Sequence, residues 1–314
     1  MGLAEELEAA AAAVRERALN GVVGVGGTGS WGSGLVLQAG VVVTSAHNVR
    51  SDQPLVHFMD GSRRAATHHE LDLGSDLAVL EVDTAEAPPL SWAGQGPELG
   101  TPVFAAANPG GHGPRLSFGV VSGLDRSFRG PQGRPITGGF EHTAPLPHGS
   151  SGGPVLSLGG ELLGINTKRL GEGLYAALGA DPDLRGRIDL LARGERPERA
   201  YLGVGLLPGE VARRLRAAVG LADQEGLLVR HLDPEGPAAK AGLLRGDLLT
   251  AAGGTALRQP GHIHRILATR KPGDQLAVDV IRGADQLQVT VELGREPEGQ
   301  DPRSARHHHF HHRR

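Results

Sequence analysis

Gly149-Ser150-Ser151-Gly152-Gly153-Pro154 sets a serine hydroxyl at the tip of a tight turn. Glycines permit main-chain angles closed to other residues, so the N–H groups of Gly149 and Ser151 can converge on one point. Converging donors beside a nucleophilic oxygen are what stabilises the oxyanion of acyl transfer. A serine used this way needs a base to take its proton and a third group to orient that base. Both have candidates upstream. Thr44-Ser45-Ala46-His47-Asn48-Val49 follows the run Val41-Val42-Val43, and Ser75-Asp76-Leu77-Ala78-Val79-Leu80 comes later. The order His, Asp, Ser has gaps of 29 and 75 residues, which suits one group in each region of two successive small barrels. Asp72, in Leu71-Asp72-Leu73-Gly74, competes with Asp76 for the orienting role.

These motifs in this order resemble the HtrA/DegP family of trypsin-like serine proteases. The family pattern is Thr-x-Ala-His, then Asp-Leu-Ala-Val-Leu, then Gly-x-Ser-Gly-Gly-Pro, followed by a PDZ domain. The similarity runs from about Val22 to Leu293. It implies His47, Asp76 and Ser151 as catalytic residues, Asp76 being preferred because it directly precedes the apolar run Leu77 to Leu80. It also implies an oxyanion hole from the N–H groups of Gly149 and Ser151. The fold expected is mainly β: two six-stranded-type antiparallel barrels, then a small α+β PDZ domain. Thr143-Ala144-Pro145-Leu146-Pro147 is one residue shorter than the family's stretch and lacks its Asp. With no carboxylate among Pro145, Leu146 and Pro147, these three are expected to line an apolar substrate pocket.

Two other readings of the glycine-rich motifs fail. Gly149-x-Ser151-x-Gly153 also fits the nucleophile elbow of α/β-hydrolases, which must run into a helix with its acid and histidine downstream. Pro154 followed by Val155-Leu156 is strand-like instead. Gly24-x-Gly26-x-x-Gly29 matches a dinucleotide fingerprint, but Ser30-Trp31-Gly32-Ser33-Gly34 cannot begin a helix.

The chain has 314 residues, a length that suits two domains. Its 49 glycines and 21 prolines fit many short elements and turns. A net charge of −3 with mixed signs argues against nucleic acid or an anionic membrane as main partner. With no cysteine, disulfides and thiolate chemistry are excluded.

Residues 1–20 are expected to form an amphipathic helix, from the spacing of Leu3, Leu7, Ala11, Val14 and Ala18. The acidic start resembles no signal peptide, and no stretch approaches the ~20 apolar residues of a membrane span. The location expected is cytoplasmic as written, or exported if the start is misassigned. Residues 21–195 are assigned to the protease domain, with strands near Val22–Val25, Leu35–Leu37, Val41–Thr44, Leu55–Phe58 and Leu77–Val82 in the first barrel. The second is expected at Val103–Ala107, Leu116–Ser122, Val155–Leu158 and Leu162–Asn166. Loops are expected at Asn108–Pro114 and Arg126–Pro135, and a helix near Leu184–Leu191.

Residues 199–295 carry the second domain. Tyr201-Leu202-Gly203-Val204 resembles the carboxylate-binding loop of PDZ domains in this family. Pro237-Ala238-Ala239-Lys240-Ala241-Gly242-Leu243 and Gly246-Asp247-Leu248-Leu249 continue the match. A peptide C-terminus would add to a sheet edge with its carboxylate on backbone N–H groups. A helix at His262–Thr269 would present Ile266 and Leu267 to the groove. The tail 296–314, rich in His and Arg, reads as disordered. No cofactor or metal is required.

The expectation is an ATP-independent serine endopeptidase acting on unfolded or misfolded proteins, regulated by peptide C-termini at the PDZ domain. The resemblance implies a homotrimer. The competing reading is a silent chaperone or scaffold.

Overall fold

The computed structural model describes residues 2–27, 30–129, 135–171, 173–195 and 197–297. Two compact units divide between Pro197 and Glu198.

The first unit opens with helix α1 (Leu3–Arg17), an alanine-rich segment with Glu5 and Glu6 in its first turn and Arg15 and Arg17 in its last. This arrangement complements the helix dipole. Val14 and Ala18 are buried in the chain's own core, together with Val22, Leu35 and Leu162.

Seven strands follow: β1 (Val22–Gly27), β2 (Ser30–Gln38), β3 (Val41–Ser45), β4 (Leu55–His57), β5 (Arg63–Ala65), β6 (His68–Asp72) and β7 (Leu77–Glu81). Their order is β5-β4-β1-β2-β3-β7-β6. This is the first of the two antiparallel barrels expected, in the form of a half-barrel. Only Ala66 and Thr67 link the edges β5 and β6, and their N–H groups bond to Pro54 and Glu81 respectively. Each edge thus turns to its own neighbour, and the sheet curls round without a ladder across the gap.

The second sheet is a closed barrel of β8 (Pro102–Ala107), β9 (Arg115–Arg129), β10 (Pro135–His142), β11 (Pro154–Leu156), β12 (Leu162–Gly171) and β13 (Leu174–Gly179), in the order β10-β13-β12-β11-β8-β9. Residues 126–129, expected as loop, extend β9, and β10 begins at Pro135. Helix α2 (Pro182–Ala192) starts where Asp181 accepts the Leu184 N–H at 2.7 Å and Pro182 occupies the first turn. Leu184, Ile188 and Leu191 join the apolar cluster that includes Leu35, Val43, Leu77, Phe104, Leu156 and Ile165. Barrel and curled sheet thereby share one core.

The second unit holds β14 (Ala200–Tyr201), β15 (Val204–Leu207), α3 (Gly209–Ala218), β16 (Leu227–Leu232), α4 (Pro237–Lys240), β17 (Leu248–Ala252), β18 (Thr255–Ala256), α5 (Pro260–Ala268), β19 (Gln275–Arg282), β20 (Asp285–Glu292) and β21 (Gly294–Arg295). The main sheet runs β15-β16-β17-β19-β20, which leaves β15 at an edge, and β14 pairs with β21. Leu202, Leu227, Leu243, Leu249, Ile263, Val278 and Val291 form the core. Buried Asp247 is held by both arms of Arg282 at 2.8 Å and by the Leu244 N–H. The expected tail beyond residue 297 lies outside the described residues.

Candidate active site

His47 sits in the 3-10 turn that ends β3, and Asp76 precedes β7, the strand paired with β3. This pairing brings the two together. His47 Nδ1 lies 2.8 Å from Asp76 Oδ2 and 2.9 Å from Oδ1, and Oδ1 also accepts the His47 backbone N–H at 3.1 Å. Asp76 is 2% exposed, at φ +56°, a left-handed conformation in which Asp is enriched among non-glycine residues. Asp72 plays a different part. Its carboxylate accepts from Ser75 Oγ and the Gly74 N–H, shaping the turn that carries Asp76.

Ser151 lies on the loop between β10 and β11, in the same cavity as His47 and Asp76. Its Oγ donates to the Thr167 carbonyl at 2.8 Å. Thr167 Oγ1 reaches Asp76 Oδ2 at 3.4 Å. Among the described residues the N–H groups of Gly149 and Ser151 meet no protein acceptor, so both remain available to a developing oxyanion.

The loop is braced from the curled sheet. Ser33 Oγ donates to Gly149 O at 2.8 Å and accepts the Asn108 N–H at 3.0 Å. The Ser151 carbonyl accepts from the Ser33 N–H at 3.0 Å and Asn48 Nδ2 at 2.8 Å. Gly152, at φ +87°, is held so tightly that an added Cβ would stand 2.2 Å from Ser33 O. From the barrel side, the Asn166 carbonyl accepts the Gly152 N–H at 2.7 Å. Ser33, Asn48, Asn166 and Thr167 were not singled out from sequence. Ser33 stands in the run Gly32-Ser33-Gly34, and Asn48 directly follows His47.

The cavity has a volume of about 500 Å³. Of the three residues expected at the substrate pocket, Leu146 and Pro147 line it, and Pro145 is exposed and does not. The remaining wall comes from Asn166 to Arg169 on β12 and from Tyr175 and Ala176 on β13. Tyr175 Oη donates to Leu146 O at 3.2 Å. Asp76 is the only carboxylate among the lining residues, and Lys168, Arg169 and His148 add basic groups.

In the second unit Leu202 is buried, and its carbonyl accepts the Ala238 N–H at 3.0 Å. Gly203 turns at φ +82°, and Val204 begins the edge strand β15. Tyr201 Oη donates to Asp233 at 3.1 Å. Helix α5 lies against β14, with Ile266 and Leu267 half-buried on the core. The loop from Tyr201 to Val204, an open edge and α5 therefore occur together.

Among the described residues no group of three or more His, Asp or Glu side chains is placed to hold a metal, and no helix is long and apolar enough to cross a membrane.

Known proteins share this architecture. The trypsin-like peptidase domain family matches residues 32–165, and the PDZ domain family matches 200–293. A probable periplasmic serine endoprotease, DegP-like, of Halomonas elongata is 30% identical over 279 residues, 86% of this chain and 58% of the relative. Protease Do-like 1, chloroplastic, of Arabidopsis thaliana is 32% identical over 294 residues, 85% of this chain and 64% of the relative. The chain thus spans less than two thirds of the length of these relatives. The solved serine endoprotease of Yersinia pestis superposes with a TM-score of 0.67 at 25% identity, covering 91% of this chain and 98% of that one. The HtrA-type protease AlgW with a tripeptide gives 0.65 at 26% identity, covering 92% and 98%. Names that read periplasmic and chloroplastic give the cytoplasmic expectation no support.

Proposed function

The chain is a homologue of the DegP and HtrA-type serine endoproteases, a trypsin-like peptidase domain followed by a PDZ domain, and from that premise we propose that it hydrolyses peptide bonds of unfolded proteins through His47, Asp76 and Ser151. One observation carries the reading: a histidine held at 2.8 Å by a buried aspartate opens onto the cavity that holds Ser151 and the unpaired N–H groups of Gly149 and Ser151.

Ser151 Oγ attacks the scissile carbonyl while His47 takes its proton. The carbonyl oxygen becomes an oxyanion held by the N–H groups of Gly149 and Ser151, each worth roughly 3–4 kcal/mol in comparable sites. His47 then gives the proton to the leaving amine, and water hydrolyses the acyl-enzyme by the same route. Asp76 keeps the Nδ1–H tautomer and stabilises the imidazolium.

Residues 21–195 serve as the catalytic part and 199–295 as the peptide-binding part. Tyr201, Leu202, Gly203 and Val204 receive a peptide carboxylate, with Ile266 and Leu267 beside the peptide's last side chain. One solved relative is an HtrA-type protease with a tripeptide, which supports peptide binding in this architecture. Assembly as a homotrimer and an exported location belong to the same reading, the latter supported by the relatives' names. Casein degraded by the wild type and left intact by Ser151→Ala supports the proposal. Peptide binding without cleavage would favour a silent scaffold.

A further inference from the structure

The loop that carries Ser151 is gripped from the barrel side by buried polar groups. Asn166 on β12 is the hub. Its N–H donates to Gly153 O at 2.8 Å, and its Nδ2 donates to Gly153 O at 3.1 Å and to Pro154 O at 3.2 Å. Those carbonyls only accept, so the amide nitrogen faces them and Oδ1 faces His142 Nε2, 2.8 Å away. An amide oxygen also only accepts. The network therefore assigns the proton of His142 to Nε2.

In the neutral ring Nδ1 then carries a bare lone pair. That atom is buried and has no hydrogen-bond partner among the described residues. The ring is 0% exposed and stacks on Tyr175, with centroids 5.7 Å apart and planes 20° apart. Tyr175 in turn bonds to Leu146 O, on the segment that precedes Ser151. His142 thus touches the supports of the loop on both sides of the nucleophile.

We propose that His142 is a positioning residue for the nucleophile loop, and that protonation of its ring releases that loop. The inference rests on the protease reading above. A proton on Nδ1 would create a buried cation with one donor unpaired, which is costly. Its surroundings do little to offset this. Glu141, next to it on β10, favours the proton, and Asn166 from β12 accepts only at Nε2. From β13 it faces Tyr175, and its neighbour on β9 is Val121. Burial prevails, holding its proton affinity below the ordinary value of 6.5. Protonation of His142 would then silence the enzyme by a route of its own, apart from the catalytic base.

The test is log(kcat/KM) against pH from 7.5 to 4, for wild type and His142→Gln. Glutamine keeps an N–H for Asn166 Oδ1 and cannot titrate. Wild type should fall with a slope one proton steeper than that of His142→Gln once His142 takes up its proton. His142→Gln should match it at pH 7.5 and hold one slope throughout. His142→Phe keeps the stack but not the donor; its kcat should fall on the order of 10-fold at pH 7.5, with KM little changed. An NMR titration of the wild type decides the matter even if no variant folds. The His142 ring and the Gly152 and Gly153 amides should shift together, with a midpoint below 6.5. Superposable pH profiles, or a ring that titrates without the amides, would overturn the role of His142. Failure of the wild type to label at Ser151 with a fluorophosphonate would instead overturn the protease reading.

Discussion

The hydroxyl of Ser151 donates to the backbone carbonyl of Thr167 at 2.8 Å, and among the described residues no hydrogen bond joins it to His47. Unliganded catalytic sites often show such loose geometry and tighten only with substrate. Thr167 also reaches Asp76 through its hydroxyl, so the residue that receives the serine at rest also touches the carboxylate bonded to His47.

Asp76→Asn should leave the fold intact and lower kcat by roughly 10⁴-fold, because an amide can hold the wrong histidine tautomer. KM should change little. Steady-state kinetics on a fluorogenic peptide give both numbers, and a loss confined to KM would contradict the assigned role.

Gly152→Ala should destabilise the first unit and abolish activity together. Its φ of +87° costs a side chain about 1–2 kcal/mol, and the Cβ would meet Ser33 O, Thr44 Oγ1 and the Ser45 nitrogen within 2.8 Å. Overpacking adds roughly 1–3 kcal/mol. Urea unfolding measures the sum; a variant as stable as wild type would show that the loop relaxes freely.

Cleavage should follow apolar residues and not Lys or Arg. Leu146, Pro147, Tyr175 and Ala176 line the cavity, and its one carboxylate, Asp76, is engaged by His47. A buried cationic side chain would lack a partner. A cleavage-site map of denatured casein dominated by Arg or Lys would contradict this.

A peptide ending in a free apolar residue should raise activity by roughly 5- to 150-fold, the span of typical coupling energies. Its differential affinity for an arrangement with Ser151 turned to His47 is what shifts the population. Truncation before Tyr201 should remove the response and leave Ser151 labelling. Equal stimulation by the amidated peptide would show that the carboxylate is not the trigger.

Stability should decline as pH drops below 6.5. Burial depresses the proton affinity of both His57 and His142 in the folded state, with Arg63 and His112 adding to the effect at His57. The unfolded chain therefore takes up protons first. The stabilisation is complete above the unfolded value of 6.5 and is lost as pH falls toward the folded values. Thermal melts from pH 8 to 4.5 should show a smaller decline for His142→Gln, and equal declines would mean that His142 is not held neutral.

His47, Asp76, Ser151 and Gly149 were legible because each sits in a short run whose residue types are demanded locally by the chemistry. Their braces were not. Ser33 and Asn48 reach the loop across 116 and 103 residues, and no local pattern encodes such contacts. β10 and β13 escaped notice because their runs, Pro135-Ile136-Thr137-Gly138-Gly139 and Leu174-Tyr175-Ala176-Ala177-Leu178-Gly179, carry little alternation. Gly139 is required there, since a Cβ would stand 2.8 Å from both Ala177 O and Phe128. Pro145 stands apart from the cavity lining that includes Leu146 and Pro147, a difference that counting back from Ser151 does not reveal.

The most direct test is to treat the folded protein with a fluorophosphonate at pH 7.5 and locate the adduct by mass spectrometry, in wild type and in His47→Ala. Here the account predicts a single modified residue, Ser151, in wild type and almost none in His47→Ala. An unlabelled wild type, or equal labelling of both proteins, would contradict a nucleophile at Ser151 activated by His47.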